Sequence, residues 1–215
     1  MKVAVFSDVH GNLPALERFV SATRQQVDSY LCLGDVVNYG PWNDECLEQV
    51  SQLPGIVLLE GNHERLFLDA SNLRHEIPLV QAFYHHSVAF FKRKDLIVNL
   101  RTQVNVGGFF CQHTIQGRSV YADTAIAVSQ NHIIGHTHHQ YQIERADFTI
   151  INPGSVGQNR KWINRVEYLI LDTDEKKAVF YSLVYDVDQF ISELRVRHYP
   201  MACVNYYYLK MRKQE

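Results

Sequence analysis

Six apolar runs in this sequence end in clusters of side-chain types that can bind metal ions. The first is Val3-Ala4-Val5-Phe6, followed by Ser7-Asp8-Val9-His10-Gly11-Asn12. Side chains two residues apart on an extended segment point to the same side, so Asp8 and His10 can reach one ion together. The second run, Tyr30-Leu31-Cys32-Leu33, ends in Gly34-Asp35. The third, from Ile56 to Glu60, ends in Gly61-Asn62-His63-Glu64-Arg65. The fourth ends in His113, the fifth in Gly135-His136-Thr137-His138, and the sixth in Asn152-Pro153-Gly154-Ser155. One His-x-His, or one Asp beside a His, is ordinary loop chemistry: a helix cap or a satisfied polar side chain. Six such clusters in one chain, each at a strand end, point to a metal centre.

The elements that must position these residues follow from hydrophobic period and punctuation. Asn12 is an N-cap, Pro14 lies in the first turn, and Leu13, Leu16, Phe19 and Val20 recur at helical spacing. A second helix is predicted from about Asn43, with Asp44 and Glu45 in its first turn and Pro54-Gly55 as its stop. The stretch from Arg65 to Phe91 reads as helical. Residues 103–106 and 109–113 read as strands about Gly107-Gly108, and a short helix is predicted over 121–128. Residues 166–171 and 178–185 read as a hairpin around 173–176. The order βαβαβα, followed by mostly β, predicts sheets with helices outside, and ligands in such folds bind beyond the carboxyl ends of the strands. An amphipathic segment at 189–196 and the run Tyr206-Tyr207-Tyr208 are expected to pack on the body or on a second subunit, and residues 212–215 to fray.

A chain of 215 residues, 46% of them hydrophobic, suits one domain with an appendage. A net charge of −2 gives no general attraction to nucleic acid or anionic membrane. Cys32, Cys46, Cys111 and Cys203 show no C-x-x-C spacing. With no signal peptide and no stretch long enough to span a bilayer, the expected location is the reducing cytoplasm.

The motifs Asp8-Val9-His10, Gly34-Asp35, Gly61-Asn62-His63-Glu64, a lone His113 and Gly135-His136-Thr137-His138 stand in an order that resembles the calcineurin-like metallophosphoesterase superfamily. Gly34-Asp35-Val36-Val37-Asn38-Tyr39-Gly40-Pro41 and Asn152-Pro153-Gly154-Ser155 are similar to its small bacterial and archaeal, YfcE-like branch. The resemblance implies an α/β fold, a four-layer αββα sandwich of two mixed β-sheets flanked by helices. It spans residues 1–186 and leaves 187–215 as a helical, aromatic extension packing on the same domain.

The resemblance further implies two divalent ions. One takes Asp8, His10 and His138, the other Asn62, His113 and His136, with Asp35 bridging them. Mixed nitrogen and oxygen ligands suit Mn, Fe, Ni, Co or Zn better than calcium. Two such ions against two carboxylates leave a surplus of positive charge, even with a bridging hydroxide as nucleophile, and so attract a phosphate anion. His63 stands where the family carries its general acid. Asn38-Tyr39 stands where the phosphoprotein phosphatases carry Asp-Arg, so the carboxylate partner that the resemblance to them would give His63 is replaced by an amide at that position. The implied activity is hydrolysis of a phosphoester, small-molecule or nucleotide, with diesters preferred over monoesters. The alternatives are a phosphomonoesterase or protein phosphatase-like enzyme, a dinucleoside polyphosphate hydrolase, and a non-catalytic scaffold resembling the retromer subunit. A homo-oligomer is compatible with the aromatic tail; a nucleic-acid or membrane partner is not expected.

Overall fold

The computed structural model describes residues 1–214. Two five-stranded mixed sheets face one another. In the first, β1 (Lys2–Phe6) runs parallel to β2 (Ser29–Cys32), and β2 to β3 (Val57–Leu58). On the other side of β1 lies β9 (Arg165–Asp172), antiparallel, then β10 (Lys177–Val184), giving the order β10-β9-β1-β2-β3. The second sheet has the order β4-β5-β6-β8-β7. It contains β4 (Gln103–Val106), β5 (Phe109–Gln112), β6 (His132–Ile134), β7 (Gln140–Arg145) and β8 (Phe148–Pro153).

The period of two along each strand sorts its side chains between two cores. Val3 and Val5 of β1, Leu31 of β2, and Leu169 and Leu171 of β9 meet Phe109, Cys111, Ile133 and Ile151 between the sheets. The alternate residues Ala4, Phe6, Tyr30, Cys32, Tyr168 and Ile170 face outward onto helices. Those helices are α1 (Leu13–Thr23), α2 (Asn43–Ser51), α3 (Asn62–Leu68), α4 (Pro78–Val88), α5 (Val187–Val196) and α6 (Met201–Tyr208). Phe6 packs on Phe19 of α1, the rings tilted by 38° with centroids 4.5 Å apart. Truncating such a fully buried ring costs about 3–5 kcal/mol.

Three local expectations are corrected. The stretch 65–91 is not one helix: α3 stops at Leu68, a 3-10 segment covers Ala70–His75, and α4 begins at Pro78. Asp69 accepts from the Ser71 N–H and so starts a new turn, and Pro78 can open a helix but not continue one. No helix forms over 121–128. The guanidinium of Arg145 takes the carbonyls of Ala122 and Thr124, which a helix would need for itself, and an irregular loop covers the outer face of the second sheet. Of the residues 212–215 expected to fray, 212 and 213 are tied down, and Glu215 lies outside the described residues. Arg212 pairs with both oxygens of Asp188 at 2.6 and 2.7 Å, and Lys213 exchanges two backbone bonds with the Asn164 carboxamide. Phe190, Leu194, Val204 and Tyr207 of α5 and α6 lie in the same core as Phe6 and Leu16. No helix among the described residues is long and apolar enough to cross a membrane.

Candidate metal centre

The parallel strands β1, β2, β5 and β6 all end on one side of the sandwich, and their following loops converge there. Five of the seven expected ligands, Asp8, His10, Asp35, His136 and His138, have positive φ between 52° and 71°. That left-handed conformation is disfavoured for side chains with a Cβ and costs of order 1–3 kcal/mol at each position. The loops hold it through their own bonds: the Asp8 N–H donates to Gly34 O at 3.0 Å, His10 N–H to Asp35 O at 3.1 Å, and Gly11 N–H to Val36 O at 2.8 Å. Gly34 and Gly61 make the packing possible. A Cβ on Gly61 would lie 2.2 Å from Asp35 Oδ1, and one on Gly34 2.5 Å from Gly61 N.

The first half of the site joins Asp8, His10 and His138, all buried. His10 Nδ1 lies 3.1 Å from Val37 O, and His138 Nδ1 lies 2.7 Å from Gln158 O. A carbonyl only accepts, so each Nδ1 carries the proton and each Nε2 presents a lone pair. These two Nε2 atoms are 3.2 Å apart, and His138 Nε2 is 3.2 Å from Asp8 Oδ1. Asp8 Oδ1 is buried and has no hydrogen-bond donor. Three lone-pair atoms facing each other without a proton between them form a donor set that fits a divalent cation.

The second half joins Asp35, His113 and His136. His113 Nδ1 lies 3.0 Å from Leu33 O, so here too Nε2 points inward, to 3.1 Å from Asp35 Oδ2 and 3.1 Å from Asn62 Oδ1. His136 Nδ1 lies 2.8 Å from the same Asn62 oxygen, while its Nε2 meets Ser119 Oγ at 3.0 Å. The Asp35 carboxylate lies within 4.8 Å of a ring nitrogen of His10 on one side and of His113 and His136 on the other.

His63 belongs spatially with His10 and Asp35 but differs from the other imidazoles. Its Nδ1 faces the Asn38 amide nitrogen at 3.0 Å. The amide orientation is fixed, because Asn38 Oδ1 accepts from the Tyr39 N–H at 2.8 Å. In neutral His63 the proton therefore sits on Nε2, which lies 3.9 Å from Asp35 Oδ2. That atom is a donor aimed into the site, not a lone pair. The Tyr39 ring packs edge-on against both His10 and His63, with centroids 4.8 and 5.2 Å away.

The charge states suit cation binding. Burial alone would raise Asp8 and Asp35; the neighbouring His138 in the first case, and His113 and His63 in the second, override it and hold both as carboxylates. Burial keeps His10 and His136 below the ordinary imidazole range and takes His63 down to about 4. His113 is the exception: despite burial, Asp35 raises it to about 9. A cation displaces such a proton, which is how metal affinity becomes pH-dependent.

Of the strand-end residues singled out in the sequence, Asn152 is not among the converging groups. Its amide donates to Gly135 O and Thr137 Oγ1 and so braces the His136–His138 turn. Arg65 pairs with Glu60 at 2.7 Å. Glu64 is the residue whose part the sequence reading left unassigned. It is fully buried and accepts four backbone N–H bonds, from Asp35, Val36, Val37 and Gly61. Burial and Asp35 push its carboxyl upward. Both oxygens nevertheless face only donors, so the loop is built around the carboxylate. Gly61 followed by Glu at the third helical position is a capping-box pattern and was the available signal.

The chain is similar to known proteins over most of its length. An uncharacterized protein of Methanocaldococcus jannaschii is 25% identical, over 86% of this chain and 88% of its own length. Phosphodiesterase YfcE of Escherichia coli K12 is 28% identical over 177 residues, covering 81% of this chain and 89% of its own. The crystal structure of a metallophosphoesterase from Sphaerobacter thermophilus superposes with a TM-score of 0.80 and 25% identity, over 97% of this chain and 98% of that one. The model of the calcineurin-like phosphoesterase superfamily domain matches residues 1–176, and the chain belongs to that superfamily.

Proposed function

We propose that this protein is a dinuclear metallophosphoesterase that prefers phosphodiesters to monoesters. The observation that carries the reading is the position of Asp35, whose carboxylate borders both groups of inward-facing ligand atoms. Asp8, His10 and His138 would hold one ion, and Asn62, His113 and His136 the other, with Asp35 shared. Two ions of the Mn, Fe, Ni, Co or Zn type supply, when bound, Lewis-acid charge and an activated water nucleophile.

The chain's own contribution is orientation and one placed proton. Carbonyls of Val37, Leu33 and Gln158 fix the ligand tautomers. Glu64 fixes the Asp35 loop, and His63 N–H donates at Asp35 O δ1 through its backbone at 2.9 Å. Side-chain Nε2–H of His63 is then free to donate to the phosphoryl group or to the departing oxygen. A monoester dianion is best met by a bidentate guanidinium beside the metals. The group packed on His10 and His63 is instead the phenol of Tyr39, which burial keeps neutral. A diester, with one negative charge, matches that surface.

The reading extends to the whole chain. Residues 1–186 form the catalytic domain, the described residues from 187 onward an extension packed on it, and the four free, buried thiols suit a reducing cytoplasm. Steady-state kinetics of metal-reconstituted protein on p-nitrophenyl phosphate and p-nitrophenyl phenyl phosphate test the preference with one leaving group. A higher kcat/KM for the diester is expected; a clearly higher value for the monoester with several metals overturns it.

A further inference from the structure

One guanidinium stands just behind Tyr39. Arg160 donates from Nη1 to the Tyr206 hydroxyl of α6, whose ring neighbours that of Tyr39 at 6.4 Å between centroids, and its charge lies close enough to act on the Tyr39 hydroxyl. It is half-buried and forms no ion pair with a carboxylate among the described residues. Both phenols are pushed up by burial and stay neutral, so neither cancels the charge. A second cation shares the same ring: Lys210 Nζ sits 4.6 Å from the Tyr206 centroid. Lys210 too is half-buried, and the nearby Arg160 charge works against its own. Two like charges held together and partly out of water are unfavourable unless an anion joins them. The adjoining cleft, which reaches the candidate ligand His138, continues the pattern, with Lys161, Arg165 and Lys213 on its wall against one carboxylate, Glu167. A chain with a net charge of −2 thus concentrates positive charge beside its metal centre.

We infer that Arg160 and Lys210 form a subsite for a second phosphoryl group, one tyrosine ring removed from the reacting phosphorus. The inference rests on the phosphoesterase reading and narrows its substrate class to esters or anhydrides that carry a further phosphate, such as nucleoside polyphosphates. Tyr39 separates the two positions. Its ring packs on the metal side against His10 and His63, and its hydroxyl lies near the guanidinium, which Tyr206 holds on the other. The reacting phosphoryl group then meets metals and His63, and its neighbour meets Arg160 and Lys210.

The test compares AMP with ADP, two probes that differ by one phosphate, titrated calorimetrically into metal-loaded protein at a fixed free-metal concentration. ADP should bind at least about tenfold more tightly than AMP to the wild type, the scale of one added charge-assisted contact. Arg160→Gln and Lys210→Gln should each bring that ratio to within about threefold of unity, and Arg160→Lys should retain most of it. Arg65→Gln, an exposed change on the Glu60 pair, is the control that leaves the ratio unaltered. Should Arg160→Gln fail to fold by thermal melting, the partly exposed Lys210→Gln decides alone. Equal AMP and ADP affinities in the wild type, or a ratio unchanged in the folded variants, overturn the subsite. Hydrolysis of bis(p-nitrophenyl) phosphate is followed in parallel. Its absence from the metal-loaded wild type would count against the phosphoesterase reading, while the affinity ratio still judges the subsite.

Discussion

The imidazole of His63 accepts a hydrogen bond from the carboxamide of Asn38, Nδ1 to Nδ2, at 3.0 Å. The partner of this histidine is therefore a neutral amide, oriented by the Tyr39 N–H, and the proton of the neutral ring is directed into the site. His63→Gln should lower turnover by ~10²–10⁴-fold, the usual range for a placed acid, and keep its full metal content. Loss of metal from this variant, by elemental analysis, would make His63 a ligand instead.

The same pair predicts a change in pH dependence. With an amide donor at Nδ1 and burial lowering its pKa to about 4, His63 stays neutral across pH 5–8 and adds no limb to the rate profile there. Asn38→Asp would supply a carboxylate that accepts from Nδ1–H and stabilises the imidazolium. A new basic limb should then appear in the pH profile of kcat/KM. A profile identical to that of the wild type would contradict the hydrogen-bond assignment.

Glu64 is expected to matter for the shape of the site without touching an ion. Glu64→Gln turns an acceptor of four backbone N–H bonds into a group whose amide hydrogens face two of them. A loss of about 3 kcal/mol in urea unfolding is expected, together with weaker metal binding. Unchanged stability would mean that the Asp35–Val37 loop is held by something else.

Without metal, stability should peak near pH 6.5. His63 is depressed from 6.5 to about 4, so its share of stability is present above pH 6.5 and is lost as pH falls towards 4. His113 is raised to about 9 by Asp35, so its share is present below pH 6.5 and is lost as pH rises through 9. Melting of the metal-free protein should therefore give a lower midpoint at both pH 4.5 and pH 9 than near 6.5. A midpoint that climbs steadily from 6.5 to 9 would contradict the Asp35–His113 interaction.

Much of this was legible because metal-ligating types cluster where apolar strands stop. Asp8, His10, Asp35, Asn62, His113, His136 and His138 could be picked out by type and position, and the strand alternation that builds the two cores is plain in Val3 to Phe6. What could not be read is whatever depends on contacts between distant segments. The loss of a helix at 121–128 depends on Arg145, more than twenty residues away along the chain. The ordering of residues 212 and 213 depends on Asp188 and Asn164. The link from the tail to the site depends on Gln158, whose carbonyl faces His138 Nδ1 and whose amide donates to the Tyr207 hydroxyl at 3.1 Å. The left-handed backbone at Asp8 and Asp35 also runs against local preference and is imposed by the loops around them.

The shared ligand is the centre of the account, and counting ions tests it most directly. Metal-reconstituted wild-type protein, freed of loosely bound ions, should contain close to two divalent ions per chain by elemental analysis. Asp35→Ala should weaken both sites, because its carboxylate borders each group of ligand atoms. One ion per wild-type chain, held with unchanged affinity after Asp35→Ala, would contradict the shared centre.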